Sequence, residues 1–173
     1  MFCVKNIFSM WQCQLFHDKW IKGVSSGGRG EPRPEKFFIN PQITFCISSS
    51  DLVNNEACLV IIGLMQMYTR RMRVALRVDS AEEHIQFRLF KVRDQEKFFR
   101  FLAEGEPIPS RYMERIGSSG DYLNKREVTR RFSLTQGAYV IIPSCYENDK
   151  EGEFLVRIFT EMPLQSKYYI ENI

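Results

Sequence analysis

Asp121-Tyr-Leu-Asn-Lys-Arg-Glu-Val-Thr-Arg-Arg-Phe-Ser-Leu-Thr-Gln-Gly-Ala-Tyr-Val-Ile-Ile-Pro-Ser-Cys-Tyr-Glu-Asn-Asp-Lys-Glu-Gly-Glu-Phe-Leu-Val-Arg-Ile-Phe-Thr160 decides the fold, because strand patterns follow one another there with turn signals between them. Val128, Arg130, Phe132 and Leu134 share one parity, Gly137 opens an apolar run that ends at Pro143, and residues 154–159 form another apolar stretch behind a charged turn. Alternation with period two, punctuated by Gly, Asn and Asp, is the mark of strands. The stretch is expected to be an antiparallel β-meander.

Upstream, the same reasoning finds more strands. Residues 57–67 are nearly all apolar and short for a capped helix, so they read as a buried strand. In 84–92, Ile85, Phe87 and Leu89 hold one parity while Phe90 and Val92 hold the other, a phase switch that a β-bulge explains. Residues 36–47 read as a strand that Pro41 confines to an edge or a bulge, since proline donates no ladder hydrogen bond. Trp11 and Trp20 bracket a mixed segment consistent with a hairpin. Phe98, Phe99, Phe101 and Leu102 in 97–103 fit helical and strand spacing about equally well.

The connections are a Gly- and Pro-rich loop at 24–35, a polar segment at 48–56 and a long loop at 105–120, with a last strand expected at 167–171. Each short strand has an apolar face that a second sheet must cover. The expected fold is therefore an all-β, antiparallel sandwich of about eight strands.

The 173 residues suit one domain able to bury a core, with 44% hydrophobic and 13% aromatic residues arguing against disorder. A net charge of +3 is too small to mark a nucleic-acid protein. Cys3, Cys13, Cys46, Cys58 and Cys145 are odd in number and form no Cys-x-x-Cys pair, and only His17 and His84 stand beside them. Reduced, intracellular thiols are expected rather than a disulfide framework or a zinc site. The first ten residues lack the pattern of a signal peptide, and no apolar window approaches the length of a membrane span.

Several stretches together resemble one family. Trp20-Ile-Lys-Gly-Val-Ser-Ser-Gly-Gly28 is similar to the Trp-x-x-Gly-x-Ser/Thr-Ala-Gly-Gly motif of calpain domain III, with Ser26 where Ala is usual. Phe38-Ile-Asn-Pro-Gln42 matches the aromatic-x-Asn-Pro-Gln strand start, Leu59 to Gln66 matches a strand ending Leu-Met-Gln, and Arg70-Arg71 its basic continuation. Residues 97–103 resemble a later Phe-Phe-Leu strand, which favours strand there, and Asn-x-Arg-Glu-Val, Gly-x-Tyr-Val-Ile-Ile-Pro-Ser and Glu-Phe-Leu-Val-Arg-Ile-Phe follow in order.

The resemblance implies two four-stranded sheets, C2-like in architecture, over 11–161, with 1–10 as an extension or the end of a linker. Residues 162–173 would be a terminal strand or the start of a linker. It also implies a regulatory, non-catalytic module bracing the papain-like core of a calcium-dependent cysteine endopeptidase, cytoplasmic and recruited to membrane surfaces. The core's catalytic cysteine, histidine and asparagine are not in this chain, nor is an EF-hand loop, so proteolysis by this chain alone is not expected. The alternative is a stand-alone protein-interaction sandwich.

The candidate sites are sparse. Arg70, Arg71, Arg73, Lys125, Arg126, Arg130 and Arg131 form two basic clusters suited to acidic phospholipid or to a neighbouring domain. Calcium is the candidate cofactor, with Asp51, Glu56, Glu147, Asp149 and Glu151 as its oxygen donors. The 48–56 connection carries only two carboxylates where many calpains have a dense acidic run, which weakens its electrostatic role. Cys145 is a turn residue rather than a nucleophile, since a reactive thiolate needs a base beside it.

Overall fold

The computed structural model describes residues 11–48, 57–77 and 82–161. Among them are nine strands: β1 (Gln12–Trp20), β2 (Ile43–Ile47), β3 (Cys58–Gln66), β4 (His84–Val92), β5 (Met113–Ser118), β6 (Leu123–Asn124), β7 (Glu127–Leu134), β8 (Gly137–Cys145) and β9 (Gly152–Thr160). Two helices join them, α1 (Thr69–Leu76) and α2 (Gln95–Glu104), with short 3-10 turns at Pro34–Ile39 and Ser110–Tyr112. The first sheet runs β1-β9-β3-β7; the second runs β2-β8-β4-β5, with two-residue β6 beside β4. All pairings are antiparallel. This is the expected all-β sandwich.

The meander is not. β7, β8 and β9 do not pair with one another: β7 is an edge beside β3, β8 lies between β2 and β4 in the other sheet, and β9 returns between β1 and β3. Turn residues mark where the chain reverses, and a reversal inside a sheet has the same local chemistry as a crossing between sheets. All nine residues of β8 are buried, so its unbroken apolar run reflects a central strand covered on both faces.

Between the sheets, one face of every long strand interdigitates. The row Phe16–Val156–Leu64–Val128 crosses the first sheet and meets Ile85, Phe87, Tyr139 and Ile141 of the second. Each such large side chain contributes about 1.5–3 kcal/mol by leaving water. A second core lies on the outer face of the second sheet, where Phe90, Val92, Val140 and Ile142 are roofed by Phe37, Phe98, Phe101 and Leu102. The β-bulge expected near residue 89 is present as a register shift between Leu89 and Phe90 against β5.

Residues 97–103 are helical, not a strand. Asp94 caps α2 by accepting the Lys97 N–H at 3.0 Å, and Gly105 ends it in the left-handed conformation at φ 69°. Phe98, Phe101 and Leu102, spaced i, i+3, i+4, face the sheet while Phe99 faces solvent. Local cap chemistry outweighed the resemblance. Gln12–Trp20 is one strand paired along its length with β9, not a hairpin. Residues 36–47 begin as a 3-10 turn, and Pro41 precedes the edge strand β2 rather than lying in it. The 105–120 segment contains β5. The strand expected at 167–171 lies outside the described residues, as does most of the 48–56 connection.

Candidate functional site

The polar residues of the Trp-x-x-Gly, Asn-Pro-Gln and Leu-Met-Gln stretches meet as internal staples. Asn40, buried, accepts the Gly27 N–H at 3.1 Å and donates to the Gly28 and Phe37 carbonyls at 2.9 and 2.8 Å. Gln42 exchanges a reciprocal pair of bonds with the Ile108 backbone, 3.2 and 2.9 Å. Gln66 donates to the Glu83 and Lys125 carbonyls and accepts the Glu83 N–H. Trp20 packs on Phe154 and donates its indole N–H to the Pro143 carbonyl at 3.2 Å. Backbone groups in irregular, buried segments must be paired, and these side chains pair them.

Between the 24–28 loop and the α2 exit lies an open cleft of about 340 Å³, with Val24, Ile39, Phe38, Leu102 and Pro107 in its walls. Its Asn40 and Gln42 are bonded as above, and among the described residues its only ionisable side chain is Glu106. The cleft lacks the convergent acid–base groups that catalysis requires.

The fold draws part of the two basic clusters together. The Gln66 N–H donates to the Arg126 carbonyl at 2.8 Å, so the end of β3, and α1 just beyond it, lie beside Lys125 and Arg126. Arg70, Arg71 and Arg73 are on α1, with the exposed Arg71 guanidinium 5.3 Å from the Tyr68 ring centroid. Arg130 and Arg131 are consecutive on β7 and so point to opposite faces, which divides that cluster. Arg71, Lys125, Arg126, Arg130 and Arg131 make no ion pair among the described residues, whereas Arg29, Arg93, Arg100, Lys150 and Arg157 each have a carboxylate.

The acidic turn is a seam. Asp149, at φ 59°, accepts the Gly23 N–H through Oδ1 and the Asn148 amide through Oδ2, while its own N–H donates to the Ser26 carbonyl. Glu153 pairs with His17 at 3.2 Å, and Glu147 and Glu151 stand exposed. Asp51 and Glu56 lie outside the described residues. No three His, Cys, Asp or Glu side chains converge as a metal site among the described residues. Sequence reading missed Arg88, half-buried over the Phe37 ring at 4.0 Å with bonds to Gln86 Oε1 and the Arg29 carbonyl. Its outward parity on β4 was the available signal.

A family model for calpain large subunit, domain III, matches residues 16–159. This chain belongs to the calpain domain III family. It is 32% identical over 155 residues to Calpain-A of Drosophila melanogaster, covering 87% of this chain and 18% of that protein. To the Calpain-1 catalytic subunit of Gallus gallus it is 32% identical over 160 residues, covering 91% and 22%. The chain thus spans about a fifth of the length of these calpains. A pre-peptidase C-terminal domain of Bacillus anthracis collagenase aligns over 84% of this chain and 87% of its own, with a TM-score of 0.46 and 10% identity, too loose to carry an argument. Among the described residues no helix is long and apolar enough to cross a membrane.

Two thiols of this calpain domain, Cys46 and Cys145, are held in the protonated form. Burial and the Glu83 carboxylate push the Cys145 thiol up to about 12, and burial pushes Cys46 to about 11. At pH 8 only about one Cys145 in ten thousand is thiolate. Iodoacetamide on the folded domain is expected to label exposed Cys13 while leaving Cys145 unmodified until denaturant is added, read by peptide mass mapping. Since unfolding would restore both thiols to about 9, the unfolded chain binds fewer protons between pH 9 and 12. Stability should therefore fall as pH rises through that window, as thermal melts would record.

Proposed function

We propose that this domain is a regulatory, non-catalytic brace in a calcium-dependent calpain-type cysteine endopeptidase of the cytoplasm, set against the papain-like core of the same polypeptide. The observation that carries the reading is the fate of the motif side chains. Trp20, Asn40, Gln42 and Gln66 all commit their polar atoms to backbone groups, which stiffens the loops and leaves a rigid scaffold without a reactive constellation among the described residues. Rigid surfaces position neighbouring domains. The test is a chimera in which residues 11–161 replace the matching region of the chicken calpain-1 catalytic subunit. Proteolysis well above that of the subunit lacking the region is expected; activity no better than that of the deletion would sink the reading.

The finer part of the reading concerns the basic end. Arg71, Lys125 and Arg126 form an electropositive corner suited to acidic phospholipid, each charge contributing up to about 1 kcal/mol at an anionic surface. In co-sedimentation with phosphatidylserine vesicles, the double variant Lys125→Ala, Arg126→Ala is expected to bind roughly 30-fold more weakly, from about 2 kcal/mol lost. Calcium acts in this reading on the parent enzyme rather than through the acidic turn, whose Asp149 oxygens already hold Gly23 and Asn148. Vesicle binding should therefore be the same with calcium or with chelator.

A further inference from the structure

β1 and β7 end the first sheet, and β2 and β5 end the second. β5 is interrupted by the register shift between Leu89 and Phe90, whereas β7 runs against β3 from Glu127 to Leu134 without one. An antiparallel ladder turns the N–H and C=O of alternate residues toward the neighbouring strand and those of the others away from it. The Gln66 N–H donates to the Arg126 carbonyl at 2.8 Å, which fixes that alternation along the register that follows. Val128, Arg130 and Phe132 therefore turn their backbone groups toward β3, and Thr129, Arg131 and Ser133 turn theirs outward. Among the described residues no backbone group bonds to these outward ones. Thr129, Arg130, Arg131 and Ser133 are all exposed.

We infer that the outer edge of β7 receives an extended, acidic strand of a partner protein, added to the sheet by backbone hydrogen bonds. Such an edge offers main-chain bonds to any strand, so the side chains beside it decide which strand fits. Here they are Arg130 and Arg131, consecutive and so on opposite faces of the sheet, and neither makes an ion pair among the described residues. An added strand alternates in the same way, so two consecutive carboxylates on it lie one beside each arginine. The division that spoils the two arginines as one flat basic patch suits them to such a strand. Lys125 and Arg126 precede β7, and the carboxylate that follows them, Glu127, is held by Arg157, so the approach to the edge is positive. The same charges disfavour a second copy of β7, because antiparallel pairing centred on them sets arginine against arginine. The bracing role is not needed for any of this, since only one strand and its edge take part.

The test uses the full 173-residue chain and, as probe, a fluorescein-labelled peptide, Thr-Val-Thr-Glu-Glu-Val-Thr-Val. Binding is read by fluorescence anisotropy, with melting curves for every variant. The double variant Arg130→Ala, Arg131→Ala and the single variant Thr129→Pro are each expected to weaken binding at least tenfold. The proline removes one outward N–H while leaving both arginines and the bonds to β3 in place. Lys22→Ala, exposed just past β1 at the opposite edge of the same sheet, should leave binding unchanged. A peptide with both Glu replaced by Gln should bind at least tenfold more weakly, a result that no protein variant's folding can disturb. In the complex, amide hydrogen exchange at Thr129, Arg131 and Ser133 should slow at least tenfold. No saturable binding to the wild-type chain, equal binding by either variant or by the Gln peptide, or unchanged exchange at those amides overturns the inference. A concentration-dependent dimer lost in Thr129→Pro, with no peptide binding, would assign the edge to a second copy instead. Loss of phosphatidylserine-vesicle binding in the arginine double variant, again with no peptide binding, would assign the two arginines to lipid.

Discussion

Gly27→Ala is expected to lower the stability of the domain by about 3 kcal/mol, a large share of the total, while leaving most of it folded. A Cβ on Gly27 would lie 1.9 Å from the Lys36 carbonyl oxygen, 2.7 Å from Ile39 Cγ1 and 2.9 Å from the Lys36 carbonyl carbon. Two of these atoms are backbone, in the turn that presents Phe37 to the second core, so neither can rotate aside. Relief requires the 24–28 loop to lift away, which breaks the Gly27 N–H to Asn40 bond and exposes the turn. Overpacking of this kind costs about 3 kcal/mol or more, against a total stability of about 5–15 kcal/mol for a domain. A drop in urea midpoint with unchanged slope would confirm it. A midpoint within error of wild type would show that the loop moves freely.

Asn40→Asp is the second large effect, and it separates charge from shape. The substitution keeps the acceptor for Gly27 but replaces the amide that donates to the Gly28 and Phe37 carbonyls. A buried carboxylate then faces two carbonyl oxygens, at a cost of about 3–5 kcal/mol near neutral pH. Such a group holds its proton in the folded state well above its unfolded value of about 4. The folded Asn40→Asp variant therefore binds more protons than its unfolded chain across that window, and its stability should rise as pH falls toward about 4. The protonated acid restores one donor. Wild type should not share this rise, and melts of both proteins from about pH 7 to about pH 4 make the comparison.

The strand patterns were legible because period-two alternation is local. The bulge near residue 89 was legible for the same reason: a change of parity between Leu89 and Phe90 has one cheap structural cause. Asp94 and Gly105 were cap signals for α2 that the spacing of Phe98, Phe99, Phe101 and Leu102 alone does not use, and that ambiguous spacing left the resemblance to favour strand. The basic residues could be picked from sequence, but not their grouping. That Lys125 and Arg126 sit beside the end of β3 depends on bonds to Gln66, far away along the chain.

The staples of Asn40, Gln42 and Gln66 were visible only as motif letters. Family membership and the all-β character follow from residue order alone, since both depend on patterns within single segments. The order of strands and the crossing of β7, β8 and β9 between sheets depend on contacts between segments far apart in the chain. An apolar residue on a strand records that a face wants covering, and only the packed fold reveals whether the chain itself covers it. For β8 it does on both faces; among the described residues, Ile61 and Met65 of β3 stay half-buried.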